Sequence, residues 1–427
     1  MLSPDAVTER KQNGESFSQA ELEFIVNGCT DGTISDNEMI RWLSSVYTQG
    51  MSHEETMFYT QAMLNSGTRL DFSNMPGYVI DKHSTGGVGD KVSLILGPLL
   101  ASCGCYVPML AGRGLGHTQG TIDKLETISG YHTSLNLQKF QEIVDDVGIS
   151  IMAQTADICP ADNKIYALRD ISDTVASLPL ICGSIMSKKI AEGIQGLILD
   201  IKMGNGAFMN TLSDAKDLGK LLMEVGAHYG LQITTCYTDM NQPLGNTAGL
   251  WCEIMESIEC MKGNGQDDLM SVVFHLGLEA LKLAGINNPE ERLREALSDG
   301  SALDTFIKMV DAHGGDLESL DNPETNQPLF RKEIRANIDG YVTSMNTLIL
   351  GKAVVNLGGG RLYKGDVLDP TVGIIFHKKL GDLVYNGEPL LEYFCSDKDK
   401  FEGGTLYFKD AIKLKVELPA ENRLIYQ

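Results

Sequence analysis

The stretch Tyr78-Val79-Ile80-Asp81-Lys82-His83-Ser84-Thr85-Gly86-Gly87-Val88-Gly89-Asp90-Lys91-Val92-Ser93 decides the fold class. Its apolar beginning predicts a strand over 78–80, the three glycines predict a tight loop, and the apolar residues from 92 onward predict a helix. A strand that runs through a glycine loop into a helix opens an α/β unit. Backbone N–H groups in such a loop, together with the helix N-terminus, favour an anion. The stretch therefore predicts an α/β fold with an anion site in its loop.

Beyond this stretch, short apolar runs alternate with amphipathic helices. We predict strands over 106–110, 149–152, 197–202 and 231–237, with helices near 137–147, 162–170, 178–191 and 213–229. Strands and helices that alternate at this spacing form a largely parallel or mixed sheet. Such sheets bind ligands beyond the carboxyl ends of their strands, which is the side where the glycine loop lies.

The two ends of the chain have a different character. Residues 1–67 are predicted to be helical, because Ser18, Ser35 and Ser52 each stand three residues before a glutamate, which is the capping-box pattern. After about residue 335 the chain becomes rich in strands and glycines, apart from a predicted helix at 348–357. The stretch 381–390 resembles the hairpin of lipoyl and biotinyl carrier domains. The companion stretch of this motif, residues 339–346, lacks a lysine to which a prosthetic group could be attached. We therefore expect an unmodified α+β domain.

Length and charge limit the classes of partner. A chain of 427 residues suggests two to three domains. The 57 acidic residues exceed the 35 basic ones and give a net charge of −22. Such a surface repels phosphate backbones and anionic lipids, although a few buried cations can still hold a small anion. We therefore expect no nucleic-acid partner and no membrane partner.

The cysteine pattern and the N-terminus indicate a cytoplasmic protein. The nine cysteines are scattered, form no CxxC pair and show no spacing suited to zinc, so we expect reduced thiols and no metal site. The first residues have neither a basic flank nor an apolar stretch, so we expect no secretory signal. The uncharged residues 92–112 are divided by prolines and glycines, which predicts a buried helix and strand and argues against a membrane span.

The first glycine loop carries side chains suited to phosphate. Lys82 supplies a full positive charge, and Ser84 and Ser93 supply hydroxyl donors. The glycines alone would be equally consistent with a tight turn. With the lysine, His83 and the two serines converging on one loop, we predict phosphate binding.

A second loop, Ala111-Gly112-Arg113-Gly114-Leu115-Gly116-His117-Thr118-Gln119-Gly120-Thr121-Ile122-Asp123-Lys124-Leu125-Glu126, also follows a strand and opens a helix. Thr121 at the helix start can donate to a shared anion. Arg113 could bind phosphate, but we prefer an internal ion pair with Asp123 or Glu126. We interpret His117 as a structural histidine.

The two loops resemble those of the thymidine phosphorylase and pyrimidine-nucleoside phosphorylase family. That family's signature is a small residue, Gly-Arg-Gly-Leu-Gly-His-Thr and then Gly-Thr-x-Asp-x-Leu-Glu, and the resemblance extends along nearly the whole chain. It implies a helical domain of residues 1–67 and 161–192, an α/β phosphate-binding domain of residues 68–160 and 193–335, and a C-terminal α+β domain of residues 336–427. It also implies a homodimer formed mainly by helices.

The resemblance also assigns residues to the pyrimidine base. Tyr166 and Arg169 are three residues apart, and Ser184 and Lys188 are four apart, so each pair shares a helix face. From the sequence alone such faces are more typical of solvated surface. The family's base-binding positions correspond to these four residues. Two cationic donors and a hydroxyl suit the two carbonyl oxygens and the N3–H group of a pyrimidine. Leu115 and Phe208 are candidate apolar walls for the base, or simply core residues.

The implied reaction is phosphorolysis, in which phosphate attacks C1′ opposite the base and gives an inverted sugar 1-phosphate. Arg169 and Lys188 stabilise the negative charge that develops on the base. His83 contacts the base oxygen O2 as a donor or acid. The resemblance implies no metal and no cofactor, because phosphate is a co-substrate, and it implies closure of a cleft between the two substrate-binding domains. The expected phosphate ligands are Lys82, Ser84, Ser93 and Thr121.

The chain departs from the family at three positions. Ala111 replaces a usual serine and Gln119 a usual glycine, which puts phosphate affinity in question without removing the main ligands. Some family members bind potassium through a hydroxyl at the position of Lys91 and a carboxylate matching Glu256. We hypothesise that the Lys91 ammonium takes the place of that ion.

Substrate specificity is predicted from one residue. Broad members of the family often have lysine at the position of Met109, and an apolar residue there favours deoxyribose; simple packing of Met109 is the alternative. We predict a thymidine phosphorylase that converts thymidine and deoxyuridine to the free base and 2-deoxy-α-D-ribose 1-phosphate. The alternatives are a broad pyrimidine-nucleoside phosphorylase that also cleaves uridine, an anthranilate phosphoribosyltransferase, and a non-catalytic signalling protein.

Overall fold

The computed structural model describes residues 2–114, 116–322, 324–363 and 365–426. The helices are α1 (Pro4–Gln12), α2 (Gln19–Asp31), α3 (Asp36–Gln49), α4 (His53–Leu64), α5 (Val92–Ser102), α6 (Thr121–Leu125), α7 (Leu137–Val147), α8 (Pro160–Ile171), α9 (Leu178–Ala191), α10 (Leu212–His228), α11 (Trp251–Glu259), α12 (Asp267–Leu283), α13 (Pro289–Ser298), α14 (Ser301–Ala312), α15 (Glu318–Asp321), α16 (Thr347–Val354) and α17 (Lys398–Phe408). The strands are β1 (Ile80–Ser84), β2 (Val107–Ala111), β3 (Ile149–Ala153), β4 (Gly196–Met203), β5 (Gln232–Asp239), β6 (Thr247–Gly249), β7 (Phe330–Arg335), β8 (Gly340–Met345), β9 (Gly373–Phe376), β10 (Leu383–Val384), β11 (Pro389–Cys395), β12 (Ile412–Lys415) and β13 (Ile425–Tyr426).

The chain divides into two compact units. The first contains the residues up to Val79 together with Gln154–Leu197 and Lys216–Ile233, and the second contains Ile80–Ala153, Ile198–Ala215 and the chain from Thr234 onward. Residues 161–192 group with the N-terminal helices, as the family resemblance implies. The C-terminal region groups with the α/β segments, and the boundary predicted between 335 and 336 stays a prediction.

The first unit is built from capped helices around an apolar core. Each of α2, α3 and α4 begins with the predicted capping box, in which Ser18, Ser35 and Ser52 accept from the helix and a glutamate accepts in return. Trp42 lies in the core with its ring 5.7 Å from that of Phe17 and 5.8 Å from that of Tyr59. The capping boxes are therefore confirmed, and they fix where the helices begin.

The α/β part of the second unit holds a mixed sheet. One sheet has the strand order β1-β4-β5-β13, with β13 antiparallel to β5, and β2 pairs parallel with β3 in a separate two-stranded sheet. Every residue of β4 is buried, which is typical of a strand covered on both faces. The predicted α/β layer is confirmed.

Two predictions about individual strands differ from the structure. The first strand runs from Ile80 to Ser84, whereas the prediction ended it at 80, so Lys82 and Ser84 lie on the strand and not in the loop. The added part of the strand is polar, so it lacks the apolar run from which we predicted the strand. The expected hairpin at 381–390 is also wrong, because β10 pairs with β8 while β11 pairs with β7 and β9. The chain passes there from one C-terminal sheet to another.

The uncharged stretch 92–112 forms a helix and a strand, as predicted. It contains α5 and β2, and every residue from Leu94 to Leu100 is buried. Pro98 lies inside α5. Throughout the described ranges, every helix is too short or too polar to traverse a bilayer.

Candidate active site

The predicted phosphate residues of the first loop converge in the second unit. The side chain of Lys82 is buried on β1, and its Nζ atom lies 3.5 Å from Oγ of Ser93 at the start of α5. The same Nζ lies 3.8 Å from Asp90 and 3.6 Å from Asp200. These distances are long for an ion pair, so the carboxylates hold the Lys82 ammonium loosely.

Ser84 is engaged by a carboxylate. Its hydroxyl donates to Asp90 at 2.5 Å and accepts from the N–H of Gly86 at 3.2 Å. Burial raises the pKa of Asp90, but Lys202 and Lys82 outweigh this effect and hold the pKa well below its usual range. Asp90 is therefore an ionised acceptor, and a phosphate that takes the Ser84 hydroxyl must replace it there.

Lys202 lies beside the predicted phosphate ligands, and the sequence did not predict it there. Its Nζ atom lies 2.7 Å from Asp200 and 4.0 Å from Asp90, and its side chain is fully buried. Lys82, Asp90, Lys202 and Asp200 thus form a ring of alternating charge. A signal was present in the sequence, since Asp200 and Lys202 are two apart in the apolar strand β4 and so share one face.

The second loop is tied to the first by a lysine. Thr121 is the first residue of α6. Lys124, on the same helix, donates to the backbone oxygen of Asp90 at 2.8 Å and pairs with Glu253 at 2.5 Å. A Cβ atom on Gly120 would lie 2.3 Å from the nitrogen of Gly114, so only glycine fits where the loop closes on itself. The two predicted phosphate loops are therefore held together.

Arg113 forms the internal ion pairs that the sequence favoured. Its guanidinium bonds both oxygens of Glu126 at 2.5 and 2.6 Å and lies 3.3 Å from Asp123. Arg361 from the C-terminal region donates to the same Asp123 oxygen at 2.7 Å, and the other oxygen accepts from the N–H of Gly114 at 2.6 Å. The interpretation of Arg113 as a structural residue is confirmed.

His117 is a satisfied structural histidine, as predicted. Its Nε2 atom bonds the backbone oxygen of Gly206 at 2.9 Å, and burial lowers its pKa. The ring of Phe208 lies 5.6 Å from that of His117 and within ordinary contact of the Cβ position of Gly86. Phe208 therefore lies beside the first glycine loop. Leu115, the other predicted apolar wall, lies outside the described residues.

His83 is half-buried on β1 between two predicted phosphate ligands. Side chains alternate along a strand, so His83 faces away from the side shared by Lys82 and Ser84. Its predicted contact with the base stays a prediction.

The predicted base-binding residues converge in the first unit. Arg169 on α8 is 2% exposed and donates to the backbone oxygens of Leu180 at 3.0 Å and Val175 at 2.7 Å. Burial lowers its pKa. A solvated helix face would leave this side chain in water, so that alternative is wrong for Arg169.

Lys188 on α9 is anchored by two partners. Its ammonium donates to Asp162 and, at 2.9 Å, to the hydroxyl of Ser184. The ring of Tyr166 lies 6.0 Å from Nζ of Lys188 and 5.9 Å from the Arg169 guanidinium carbon. The four residues thus form one cluster, which we call the base cluster.

Lys91 has an oxygen shell suited to a monovalent cation. Its buried ammonium donates to the backbone oxygens of Gly89, Leu244 and Thr247 at 2.8, 2.9 and 3.0 Å, and lies 3.0 Å from Glu256. Burial lowers the pKa of Lys91, but Glu256 and the neighbouring Glu253 outweigh this effect and raise it. The ammonium fills the space that a potassium ion would need, so these residues do not fit that ion.

The structure also places Gln119, Ala111 and Met109, the other residues that differ from the family pattern. Gln119 is buried and donates to the backbone oxygen of His117 at 3.3 Å. Ala111 ends β2. Met109 is 2% exposed, and its Cε lies 3.9 Å from the Cβ position of Gly97 on α5. Met109 therefore packs in the interior, which was the alternative to a role in sugar selection.

Family models match three segments of the chain. The glycosyl transferase family a/b domain matches residues 77–303, and the helical bundle domain of the same family matches residues 6–67. The pyrimidine nucleoside phosphorylase C-terminal domain matches residues 341–415.

Whole-chain relatives point the same way. The chain is 41% identical to a pyrimidine-nucleoside phosphorylase from Geobacillus stearothermophilus over 91% of each chain, and 42% identical to one from Staphylococcus haemolyticus over 90% of each chain. The fold resembles that of anthranilate phosphoribosyltransferase from Thermus thermophilus, with a TM-score of 0.57 over 72% of this chain and 99% of the other. That likeness has 15% identity and shows the fold alone. From its family models and whole-chain relatives, this chain belongs to the pyrimidine-nucleoside phosphorylase family of glycosyl transferases.

Proposed function

We propose that the protein is a thymidine phosphorylase, which catalyses the reversible phosphorolysis of thymidine and deoxyuridine to the base and 2-deoxy-α-D-ribose 1-phosphate. The observation that carries the proposal is the base cluster, where two buried or half-buried cations and a hydroxyl lie within one pair of helices. The names of the relatives support pyrimidine nucleosides as the substrate class.

Phosphate is the nucleophile in this proposal. Lys82 and Ser93 supply a charge and a hydroxyl within 3.5 Å of each other, and Ser84 and Thr121 complete the set of donors. The bound phosphate attacks C1′ from the face opposite the base, so the C1′–O bond forms as the bond to the base nitrogen breaks. The electron pair of that bond stays on the base.

Arg169 and Lys188 stabilise the departing base. Two N–H groups of the Lys188 ammonium are directed at Asp162 and Ser184, and the third is assigned here to a base carbonyl oxygen. Negative charge grows on the base oxygens as the bond breaks, so these donors act more strongly in the transition state than in the substrate. His83 is assigned to the O2 oxygen of the base.

The remaining features follow from the reaction and the composition. Phosphate is itself the second substrate, so we propose no cofactor and no metal. We propose a homodimer that acts in the cytoplasm on small molecules. The nine unpaired cysteines are consistent with a reducing compartment.

A broader specificity is the second candidate. Met109 is packed in the interior and gives no support for selecting deoxyribose. The relatives carry the broader name of pyrimidine-nucleoside phosphorylase. The ratio of kcat/KM for thymidine to that for uridine separates the two candidates: a ratio well above one supports the thymidine phosphorylase.

The proposal is tested by base release. Purified protein with thymidine should release thymine only when phosphate is present, and Arg169→Ala or Lys188→Ala protein should not. Anthranilate with phosphoribosyl pyrophosphate, offered in parallel, should give no product. Thymine release that does not require phosphate would indicate a hydrolase and contradict the proposal.

A further inference from the structure

We infer that Lys202 is a positioning residue that neutralises Asp90 and Asp200 and so keeps the Lys82 ammonium available to phosphate. The inference rests on the proposed function and deepens it, because it explains what sets the affinity for phosphate. Lys202 acts through these residues and is not assigned a contact with the reacting atoms.

The distances around the ring show how the carboxylates are shared. Asp200 lies 2.7 Å from the Lys202 ammonium but 3.6 Å from that of Lys82. The Asp90 carboxylate lies 3.8 Å from Nζ of Lys82 and 4.0 Å from Nζ of Lys202. It also accepts a hydrogen bond from the Ser84 hydroxyl at 2.5 Å. Lys202 is thus the close partner of Asp200, and both carboxylates hold Lys82 loosely.

Lys202 is needed because it balances the charges of the ring. The ring contains two ammonium groups and two carboxylates, all with nearly or fully buried side chains. Charges interact more strongly in such an environment than in water. Without Lys202, two carboxylates would face a single ammonium. They would draw Lys82 into close pairing and repel an incoming phosphate.

Lys124 is a third cation that lowers the pKa of Asp90, but it is engaged elsewhere. Lys124 donates to the backbone of Asp90 but its own close carboxylate is Glu253. Asp239, which lies near enough to raise the pKa of Lys202, adds a further acidic group held by the amides of Asn241 and Asn422. Lys202 therefore compensates carboxylates on more than one side.

Position on the strand explains why a lysine reaches this ring. Asp200 and Lys202 are two apart on β4 and point to the same face. The carboxylate of Asp200 is fixed from behind by the hydroxyl of Thr238, which donates to it at 2.6 Å. Three members of the ring, Lys82, Asp200 and Lys202, therefore lie on strands of one sheet, and Asp90 joins them from the glycine loop.

The test uses three variants with similar side-chain volumes. Lys202→Met leaves one excess negative charge, Asp200→Asn leaves one excess positive charge, and the double variant restores balance. We expect the KM for phosphate to rise about 10- to 100-fold in Lys202→Met and to fall or stay unchanged in Asp200→Asn. In the double variant it should return to within about threefold of the wild-type value. The KM for thymidine and the kcat at saturating phosphate should change little in all three.

A matched control comes from the first unit. Lys11 and Glu55 also form a buried pair, at 2.7 Å, within the helical core. Lys11→Met should lower the melting temperature but leave the KM for phosphate unchanged. This variant separates the loss of any buried ion pair from the loss of charge balance at the ring.

The outcomes separate this inference from the proposed function. If the wild-type protein releases no thymine with phosphate, the proposed function fails. If the wild-type protein is active but Lys202→Met has the wild-type KM for phosphate, the inference is overturned. An unrestored KM in the double variant would also overturn it. Should Lys202→Met fail to fold, Asp200→Asn and the double variant still decide, since a KM for phosphate more than about threefold above the wild-type value in either would contradict charge balance.

Discussion

The base cluster and the charged ring around Lys82 solve opposite electrostatic problems. In the base cluster, Lys188 pairs with Asp162 and Arg169 donates to backbone oxygens, so among the described side chains two cations share one closely paired carboxylate and an excess positive charge remains. The ring carries equal numbers of ammonium and carboxylate groups. In the proposed reaction, a pyrimidine nucleoside arrives neutral and its base leaves as an anion, whereas phosphate arrives already charged. Under the proposed function, the base cluster therefore has to hold its charge in advance, and the ring has to stay balanced until phosphate binds.

The largest effect is expected in the base cluster. Arg169→Met should lower kcat/KM for thymidine by about 1,000-fold or more, because the removed donor is buried and acts on charge that develops in the transition state. Steady-state kinetics with saturating phosphate would measure this. Arg41→Met, which removes an exposed arginine from α3, is the control and should have normal kinetics. A loss of less than tenfold in Arg169→Met would break the proposed contrast between the two clusters.

A smaller effect is expected at Lys91, which lies between the first glycine loop and α5. The wild-type rate should be the same in sodium and potassium buffers, since the Lys91 ammonium fills its oxygen shell. Lys91→Thr leaves the buried Glu256 without its cation, although Asn246 and Thr247 still donate to it, and this should cost about 3–5 kcal/mol of unfolding free energy. Added potassium should partly restore the stability and activity of the variant. Wild-type activity that requires potassium would contradict the assignment.

A buried histidine away from both clusters gives a comparison for acid sensitivity. His313 accepts from Ser150 at 2.8 Å and donates to the backbone oxygen of His132 at 2.9 Å, and burial lowers its pKa to about 4. The unfolded chain takes up this proton near pH 6.5, whereas the folded chain does not until pH 4. This histidine therefore does not lower the free energy of unfolding above pH 6.5. As the pH drops toward 4, it should lower that free energy by up to about 3 kcal/mol.

Urea unfolding at pH 7 and pH 4.5 checks this prediction. His313→Gln should be less stable at pH 7 but should lose less stability than wild type on acidification. His228→Gln alters an exposed histidine and should follow the wild-type pH dependence. Equal pH dependence in wild type and His313→Gln would show that this histidine does not carry the effect.

The smallest effect is expected at Met109. It packs against α5, so Met109→Leu should change the ratio of kcat/KM for thymidine and uridine by less than about threefold. A large change in that ratio would restore the interpretation of Met109 as a sugar-selecting residue.

Local sequence patterns predicted the features that depend on local physics. The capping boxes at Ser18, Ser35 and Ser52 are satisfied within one helical turn, so the sequence was sufficient to place them. The ion pairs of Arg113 with Asp123 and Glu126 also lie within one loop and its helix. The α/β layer followed from the alternation of strands and helices.

Features that depend on distant partners could not be predicted. The extension of β1 through Ser84 is hidden in the sequence, because charged residues such as Lys82 are typical of loops unless carboxylates elsewhere compensate them. Lys202 was missed although its close partner Asp200 is two residues away on β4, because its place beside the predicted phosphate ligands depends on Asp90, which is far away along the chain. The base-cluster residues were identified through the family resemblance, and the sequence alone favoured a solvated face.

The central claim is that phosphate attacks the sugar carbon of a pyrimidine deoxynucleoside. Phosphorus NMR of the purified protein with thymidine and inorganic phosphate tests it most directly. The phosphate signal should decline as a sugar 1-phosphate ester appears, with the α configuration at C1′ and one thymine released for each ester formed. Free deoxyribose without an ester, or an ester of the β configuration, would contradict direct attack by phosphate opposite the base.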